Sequence, residues 1–377
     1  MRCWQGCPGM AGRRPMIWTA AAPGKLILLG EYAVLEGAPA LVGAVARRAR
    51  VSVVDVDGGF RLRSALIGNE EIEFEFDSDG KLRFLSQLPP SGEAKLQLFR
   101  VCVEECRAAV LAFGNSMKPL RISLDTEAFF LEDTRQKLGL GSSAALTVSL
   151  IAALMARFGL LDARVPDKSL LLERAMSAHR KAQSNTGSGV DVAASVYGGV
   201  FQYQLNGKAG KPGIATHPFH LPPDLLTVAV WSGKSASTPK LVGMVNRLKD
   251  ANPEEYNGMM TRMRELSRTG IGAIRNSDTP LFLKTVSEYF DAMADLGEAA
   301  GAPIISPPHR EISAICRESG VQYKPSGAGG GDLGILFSRE PERIRAAVQT
   351  LEKAGFPAFD LQIGTHGIQI QAVKKEQ

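Results

Sequence analysis

The chain has 377 residues, 45% hydrophobic and 22% charged, enough to bury a large core in two domains or one large one. Its formal net charge is +5, and Arg2, Arg13 and Arg14 in residues 1–15 supply three of those charges, so the remainder is no nucleic-acid footprint and suits an enzyme with anionic substrates. Five scattered cysteines (Cys3, Cys7, Cys102, Cys106 and Cys316) argue against a secreted disulfide framework or a zinc pattern and for a reducing cytoplasm.

Residues 1–15 lack an apolar run of signal-peptide length, so they are expected to be a disordered extension or a misassigned start, with a transit peptide as the alternative. Short strands are predicted over 17–22 and 25–29, on either side of Pro23-Gly24, followed by small and apolar residues over 31–35 and 39–45 and a β-rich run over 50–56. Within 60–76, Ile72, Phe74 and Phe76 alternate with Glu71, Glu73 and Glu75, the period of a half-buried strand. A helix is predicted over 95–113 and a strand over 120–124. The small-residue loop 138–143 then opens a helix ending near Phe158-Gly159. Thr147, Ser149 and Arg157 interrupt that apolar run, which marks it as a buried core helix rather than a membrane span.

A helix over 169–183, a loop over 184–189, a short helix over 190–196 and a strand over 200–205 complete an N-terminal domain, 16–206. Gly207–Pro212 reads as its boundary, and 207–377 as a C-terminal domain. The latter opens with a strand at 226–231 and a Ser/Thr-rich turn, then predicted helices over 238–249, 253–275, 280–296 and 307–319. A strand leads into the glycine turn 326–331. A strand over 333–337, a helix over 340–354 and β structure over 361–370 close the chain. The fold class is α+β, in two lobes with mixed or antiparallel sheets packed by helices.

The loop Leu138-Gly139-Leu140-Gly141-Ser142-Ser143-Ala144 carries the first chemical signal. Glycines let backbone approach a ligand, and the unpaired amides of the following helix attract anions. Ser142 and Ser143 could bond phosphate oxygens or a magnesium ion. The alternative is a turn that merely caps a buried helix. No Lys-Ser/Thr ending follows, so the loop is not an ordinary P-loop.

Three motifs occur in order: Pro23-Gly24-Lys25 running to Gly30-Glu31-Tyr32-Ala33-Val34, the loop at 138–146, and Pro325-Ser326-Gly327-Ala328-Gly329-Gly330-Gly331-Asp332. Together they resemble the GHMP kinase superfamily from Ile17 to the C-terminus. Tyr32, the 178–194 segment and Trp231–Thr238 look most like its phosphomevalonate kinase branch. The resemblance implies transfer of the ATP γ-phosphoryl group to the phosphate of 5-phosphomevalonate, giving 5-diphosphomevalonate, with mevalonate or another small alcohol as the alternative acceptor. A catalytically silent GHMP-fold regulatory protein is the remaining alternative.

On this resemblance Lys25 orients the acceptor and stabilises the transition state, and Asp191 orients Lys25 more than it acts as a base, because an acceptor phosphate is already largely ionised. Lys137, Gly139, Leu140, Gly141, Ser142, Ser143 and Ala144 would hold ATP, with Ser143 on Mg2+. Tyr32, Ser188, Ser235, Ser237, Ser326 and Gly327 are the acceptor candidates, with Lys234 and Arg135 as further cations. Mevalonate kinases hold magnesium with a Glu eleven residues before the catalytic Asp; Arg180 stands there, so Ser143, phosphates and water hold the ion, or another acid does. His179 reads as a structural histidine. A monomer or homodimer, acting on small molecules without nucleic acid or membrane in a cytoplasmic setting, is expected.

Overall fold

A computed structural model describes residues 16–374 except 69, 89, 132–134, 184–186, 207–210 and 215–218. The expectation for residues 1–15, and the 207–210 part of the expected boundary, lie outside the described residues. In chain order the first elements are β1 (Met16–Leu29), β2 (Ala40–Asp55), β3 (Phe60–Ser64), β4 (Glu71–Phe76), β5 (Leu82–Phe84) and α1 (Pro90–Ala112). They continue as β6 (Leu120–Asp125), α2 (Ser142–Arg157), α3 (Lys168–Ala182), α4 (Val190–Tyr197), β7 (Val200–Asn206) and β8 (Lys211–Ile214). The later elements are β9 (Leu226–Trp231), α5 (Thr238–Ala251), α6 (Pro253–Arg275), α7 (Thr279–Ala299) and α8 (Pro307–Glu318). β10 (Gln322–Pro325), β11 (Leu333–Ser338), α9 (Pro341–Lys353), β12 (Ala358–Phe359) and β13 (Gln369–Lys374) complete the set.

The first sheet runs β13-β1-β2-β6-β3-β4-β5, and β7 and β8 extend it beside the start of β2. Its pairs are antiparallel except β3 with β6. The second sheet is antiparallel, in the order β10-β11-β9-β12. The chain is thus α+β, as the mixture of elements predicts. The last strand, β13, returns to pair with β1 across the first sheet.

Two strand expectations need correction. Pro23-Gly24 does not separate two strands: β1 is continuous, and its register with β2 shifts there. Proline brings no amide to the ladder at that point, and the irregularity absorbs the loss. Arg48 supports the site by donating to Ala21 O and Gly367 O, both at 3.0 Å. The 361–370 run is likewise not one strand. Isolated bridges join Ile363 to Val45 and His366 to Gly198, and the regular strand starts at Gln369.

Helix α2 is buried on nearly every side, from Ala144 to Met155, as an all-round apolar helix must be. Its Ser149 accepts from Ala22 N and donates to Ala49 O, both at 3.0 Å, so the polar group inside this core is satisfied and α2 is fixed across β1 and β2. At the other end of β1, Gly270 of α6 takes the Leu29 side chain, and Tyr289 of α7 donates to Glu31 O at 2.8 Å. The end of β1 and the residue Glu31 just past it are therefore held by α6 and α7. No helix among the described residues is long and apolar enough to cross a membrane.

Candidate active site

Lys25 lies in the second half of β1, just past the register shift. Its backbone amide donates to Leu140 O at 2.9 Å, tying the strand to the 138–141 loop. The residue before it must be glycine, because a β-carbon on Gly24 would stand 2.6 Å from Leu140 O and 2.7 Å from Phe129 Cε1. Gly141, in the left-handed region at φ 78, is the N-cap of α2. A β-carbon there would meet Lys25 Cγ at 3.4 Å and Asp191 Cβ at 3.5 Å, so the lysine and the aspartate flank the entrance to α2. Asp191 stands in the first turn of α4, with Oδ1 accepting from Val192 N at 2.9 Å. That helix is pinned to β1 by Ser195, which donates to Pro23 O at 2.8 Å.

Enclosure pushes the Lys25 ammonium below the usual lysine range, while Asp191, Glu31 and Asp332 pull it back towards the charged form. The three carboxylates favour the charged form of the ammonium, and the unpaired amides at the N-terminus of α2 beside it are what attracts an anion. Ser142 is buried at the head of α2, and Ser143, half-buried beside it, contacts His179 Nε2 through its hydroxyl at 3.3 Å. His179 is thus a buried partner of the serine expected to hold magnesium. Sequence reasoning missed that pairing, since 36 residues separate the two.

The acceptor candidates divide into two groups. Tyr32 is buried with φ 58, and its hydroxyl donates to Ala328 O at 2.5 Å. Ser326 accepts from Ile27 N at 3.0 Å and donates to Ile27 O at 3.1 Å. Ser326 stitches the 326–331 loop to β1 and Tyr32 stitches it to the turn after β1, and a β-carbon on Gly327 would stand 3.8 Å from Lys25 Nζ. Ser188 is buried below Asp191; its hydroxyl accepts from Val190 N at 3.4 Å and its carbonyl from the Tyr203 hydroxyl. Ser235, Ser237 and Lys234 form the exposed group, on the 232–238 segment. Lys137 is exposed near Asp332, whose charge it stabilises. Arg135 is turned to Glu127, at 3.4 Å, and to the Phe130 ring. Arg180 is half-buried, and its charge acts on the Tyr203 hydroxyl.

A buried ion pair beneath the third glycine loop also escaped the sequence. Lys324 Nζ, fully enclosed, pairs with Glu31 and donates to Pro325 O at 2.7 Å. Gly327 N donates to the same Glu31 Oε1 at 3.3 Å, while Glu31 Oε2 has no hydrogen-bond partner. The one available signal was that both residues interrupt apolar runs at motif edges.

Among the described residues no cluster of three or more His, Cys, Asp or Glu could hold a metal by itself. The Ser143 hydroxyl at the head of α2 is an oxygen donor of the kind a magnesium ion that keeps most of its waters accepts.

Residues 99–199 match the GHMP kinases N terminal domain. Phosphomevalonate kinase of Streptomyces sp. (strain CL190) is 30% identical, with 92% of this chain and 97% of the relative covered. Among solved structures, a Lin0012 protein from Listeria innocua superposes with a TM-score of 0.81 at 26% identity, covering 94% of this chain and 99% of the other. Streptococcus pneumoniae phosphomevalonate kinase, in complex with phosphomevalonate and AMPPNP, gives 0.72 at 20% identity over 92% and 99%. Mevalonate kinases match as well.

Proposed function

The chain belongs to the GHMP kinase family, and from that premise we propose that it is a phosphomevalonate kinase. It would transfer the γ-phosphoryl group of ATP to the phosphate of 5-phosphomevalonate, giving 5-diphosphomevalonate and ADP. The observation that carries a phosphoryl-transfer site is the meeting of Lys25 and Asp191 at Gly141, on the N-terminus of α2. The full-length likeness to the Streptomyces phosphomevalonate kinase supports the acceptor assignment.

In this reading the amides and hydroxyls at the head of α2, Ser142 and Ser143, hold the nucleotide phosphates, with the loop backbone from Lys137 to Ala144 around them. Magnesium, held through Ser143 and the phosphates, would supply neutralisation of phosphate charge. Lys25 lies where negative charge gathers on the transferred group. Asp191 keeps that ammonium charged and aimed. Little proton abstraction is required, since the second ionisation of a phosphate ester lies near pH ~6. The exposed Lys234, Ser235 and Ser237 face the solvent side, where an acceptor carrying both a carboxylate and a phosphate would enter. Of the two lobes proposed at 16–206 and 207–377, the first carries the nucleotide loop with Lys25 and Asp191, and both contribute acceptor contacts, Tyr32 and Ser188 from the first and Ser235, Ser237, Ser326 and Gly327 from the second.

A coupled ADP-release assay with phosphomevalonate and with mevalonate tests the reading. Turnover of phosphomevalonate is expected. Turnover of mevalonate alone would move the chain to the neighbouring branch, and turnover of neither would remove the kinase assignment.

A further inference from the structure

The third glycine loop ends on Asp332, a residue given no role so far. Asp332 sits in the left-handed region at φ 57, a conformation that non-glycine residues adopt only when their surroundings enforce it. Its main chain is held on both sides by the segment that enters α5. Asp332 N donates to Lys234 O at 2.8 Å, and Asp332 O accepts from Ser232 N at 2.9 Å. The carboxylate adds a third link by accepting from Ala236 N at 3.4 Å. One residue thus grips the turn that carries Lys234 and Ser235.

The same carboxylate reaches the other lobe. A β-carbon on Gly139 would stand 2.5 Å from Asp332 Cγ and 2.7 Å from Oδ2, so the loop has room for the aspartate only because position 139 is glycine. Burial pushes the Asp332 carboxyl upward, and Lys25 and Lys137 act to keep it ionised. A half-buried carboxylate in an anion site would be a liability unless its position served something. Here it fills the contact between the 137–141 loop and the 232–236 turn.

We propose that Asp332 is a positioning residue that locks the acceptor turn, 232–236, onto the nucleotide loop, 137–141, so that the two phosphate-bearing ligands meet in one register. This rests on the reading of the first loop as the nucleotide site and of the turn as the acceptor side. Asp332→Asn keeps an oxygen for Ala236 N and tolerates left-handed backbone, but removes the charge. Lys25 then faces Asp191 from α4 and Glu31 from the end of β1, against the Lys324 ammonium from β10. Its pKa falls, so the basic limb of the pH–rate profile moves to lower pH. Asp332→Gly removes the carboxylate and relaxes the backbone; it should raise the acceptor KM about tenfold while leaving ATP affinity within about threefold.

The decisive test is a double-mutant cycle of Gly139→Ala and Asp332→Gly, read by calorimetric binding of a non-hydrolysable ATP analogue. Alone, Gly139→Ala is expected to weaken binding by about tenfold or more. In the Asp332→Gly background it should cost several-fold less, because the added methyl group no longer meets a carboxylate. Equal costs in both backgrounds would overturn the proposal. If Gly139→Ala fails to fold, Asp332→Gly alone decides instead: an acceptor KM within about twofold of the parent overturns it. The binding arm needs no acceptor, so a protein that fails to turn over phosphomevalonate would defeat the functional reading and still leave Asp332 tested.

Discussion

Truncating the buried lysine, Lys324→Ala, should cost the protein several kcal/mol of stability, on the order of 3–5. Lys324 Nζ and the Glu31 carboxylate are 0% and 1% exposed, so neither charge has water to fall back on. Without the ammonium, Glu31 keeps a single donor, Gly327 N at 3.3 Å, and its Oε2 already has none. Breaking a buried pair from one side costs about 3–5 kcal/mol, since the remaining ion is left desolvated. Replacing both groups, as in Glu31→Leu with Lys324→Met, removes the stranded charge. That double variant should lie within about 2 kcal/mol of the parent, the residue of the loss being the Gly327 amide without its Glu31 acceptor and the Pro325 carbonyl without its Lys324 donor. Urea unfolding, followed by circular dichroism and by tryptophan fluorescence to check that the transitions coincide, measures both. A single variant that loses less than about 1 kcal/mol, or a double variant no better than the single, would refute the electrostatic account of this core.

Two further outcomes follow from the site and one from a buried histidine behind the third glycine loop. Lys25→Ala should lower turnover by about 10³-fold while an ATP analogue still binds, because the ammonium acts on charge that develops in the transition state; an unchanged rate would exclude that role. Asp191→Asn should slow turnover and shift the basic limb of the pH–rate profile downward, since Asp191 supports the Lys25 charge, while the acidic limb stays in place. Loss of the acidic limb would identify Asp191 as a base. His309, fully buried with Nδ1 on the Tyr323 hydroxyl at 2.6 Å and Nε2 on Gly331 O at 3.0 Å, is pushed down from 6.5 to about 4, first by burial. Between those values the unfolded chain binds the extra proton, so stability is full above pH 6.5 and falls as pH drops towards 4. The loss is up to about 3 kcal/mol and should be absent from His309→Gln, which a comparison of urea midpoints at two pH values reads directly.

Much of this architecture was legible before any coordinates. Alternation of Ile72 and Phe74 with glutamates marked β4, and the small apolar run after Ser143 marked a buried α2, because burial on one face or on all faces leaves its period in the sequence. Lys25, Gly141 and Asp191 were legible as motif residues, and the fold brings them together. The missed features all depend on contacts between distant segments. Pro23-Gly24 read as a break, since nothing local reveals that β2 shifts register to accommodate it. Tyr32 and Ser326 read as ligand hydroxyls, and nothing local reveals that each also bonds backbone almost 300 positions away. The Glu31–Lys324 pair was hidden for the same reason: a charged residue carries no local mark of the partner that lets it be buried.

The most direct measurement is phosphorus NMR of the protein incubated with ATP, magnesium and one acceptor at a time. With phosphomevalonate, the account predicts that the monoester resonance gives way to the coupled pair of a diphosphate ester as ADP accumulates, and that Lys25→Ala abolishes the change. A new monoester resonance from mevalonate, with phosphomevalonate left untouched, would contradict it.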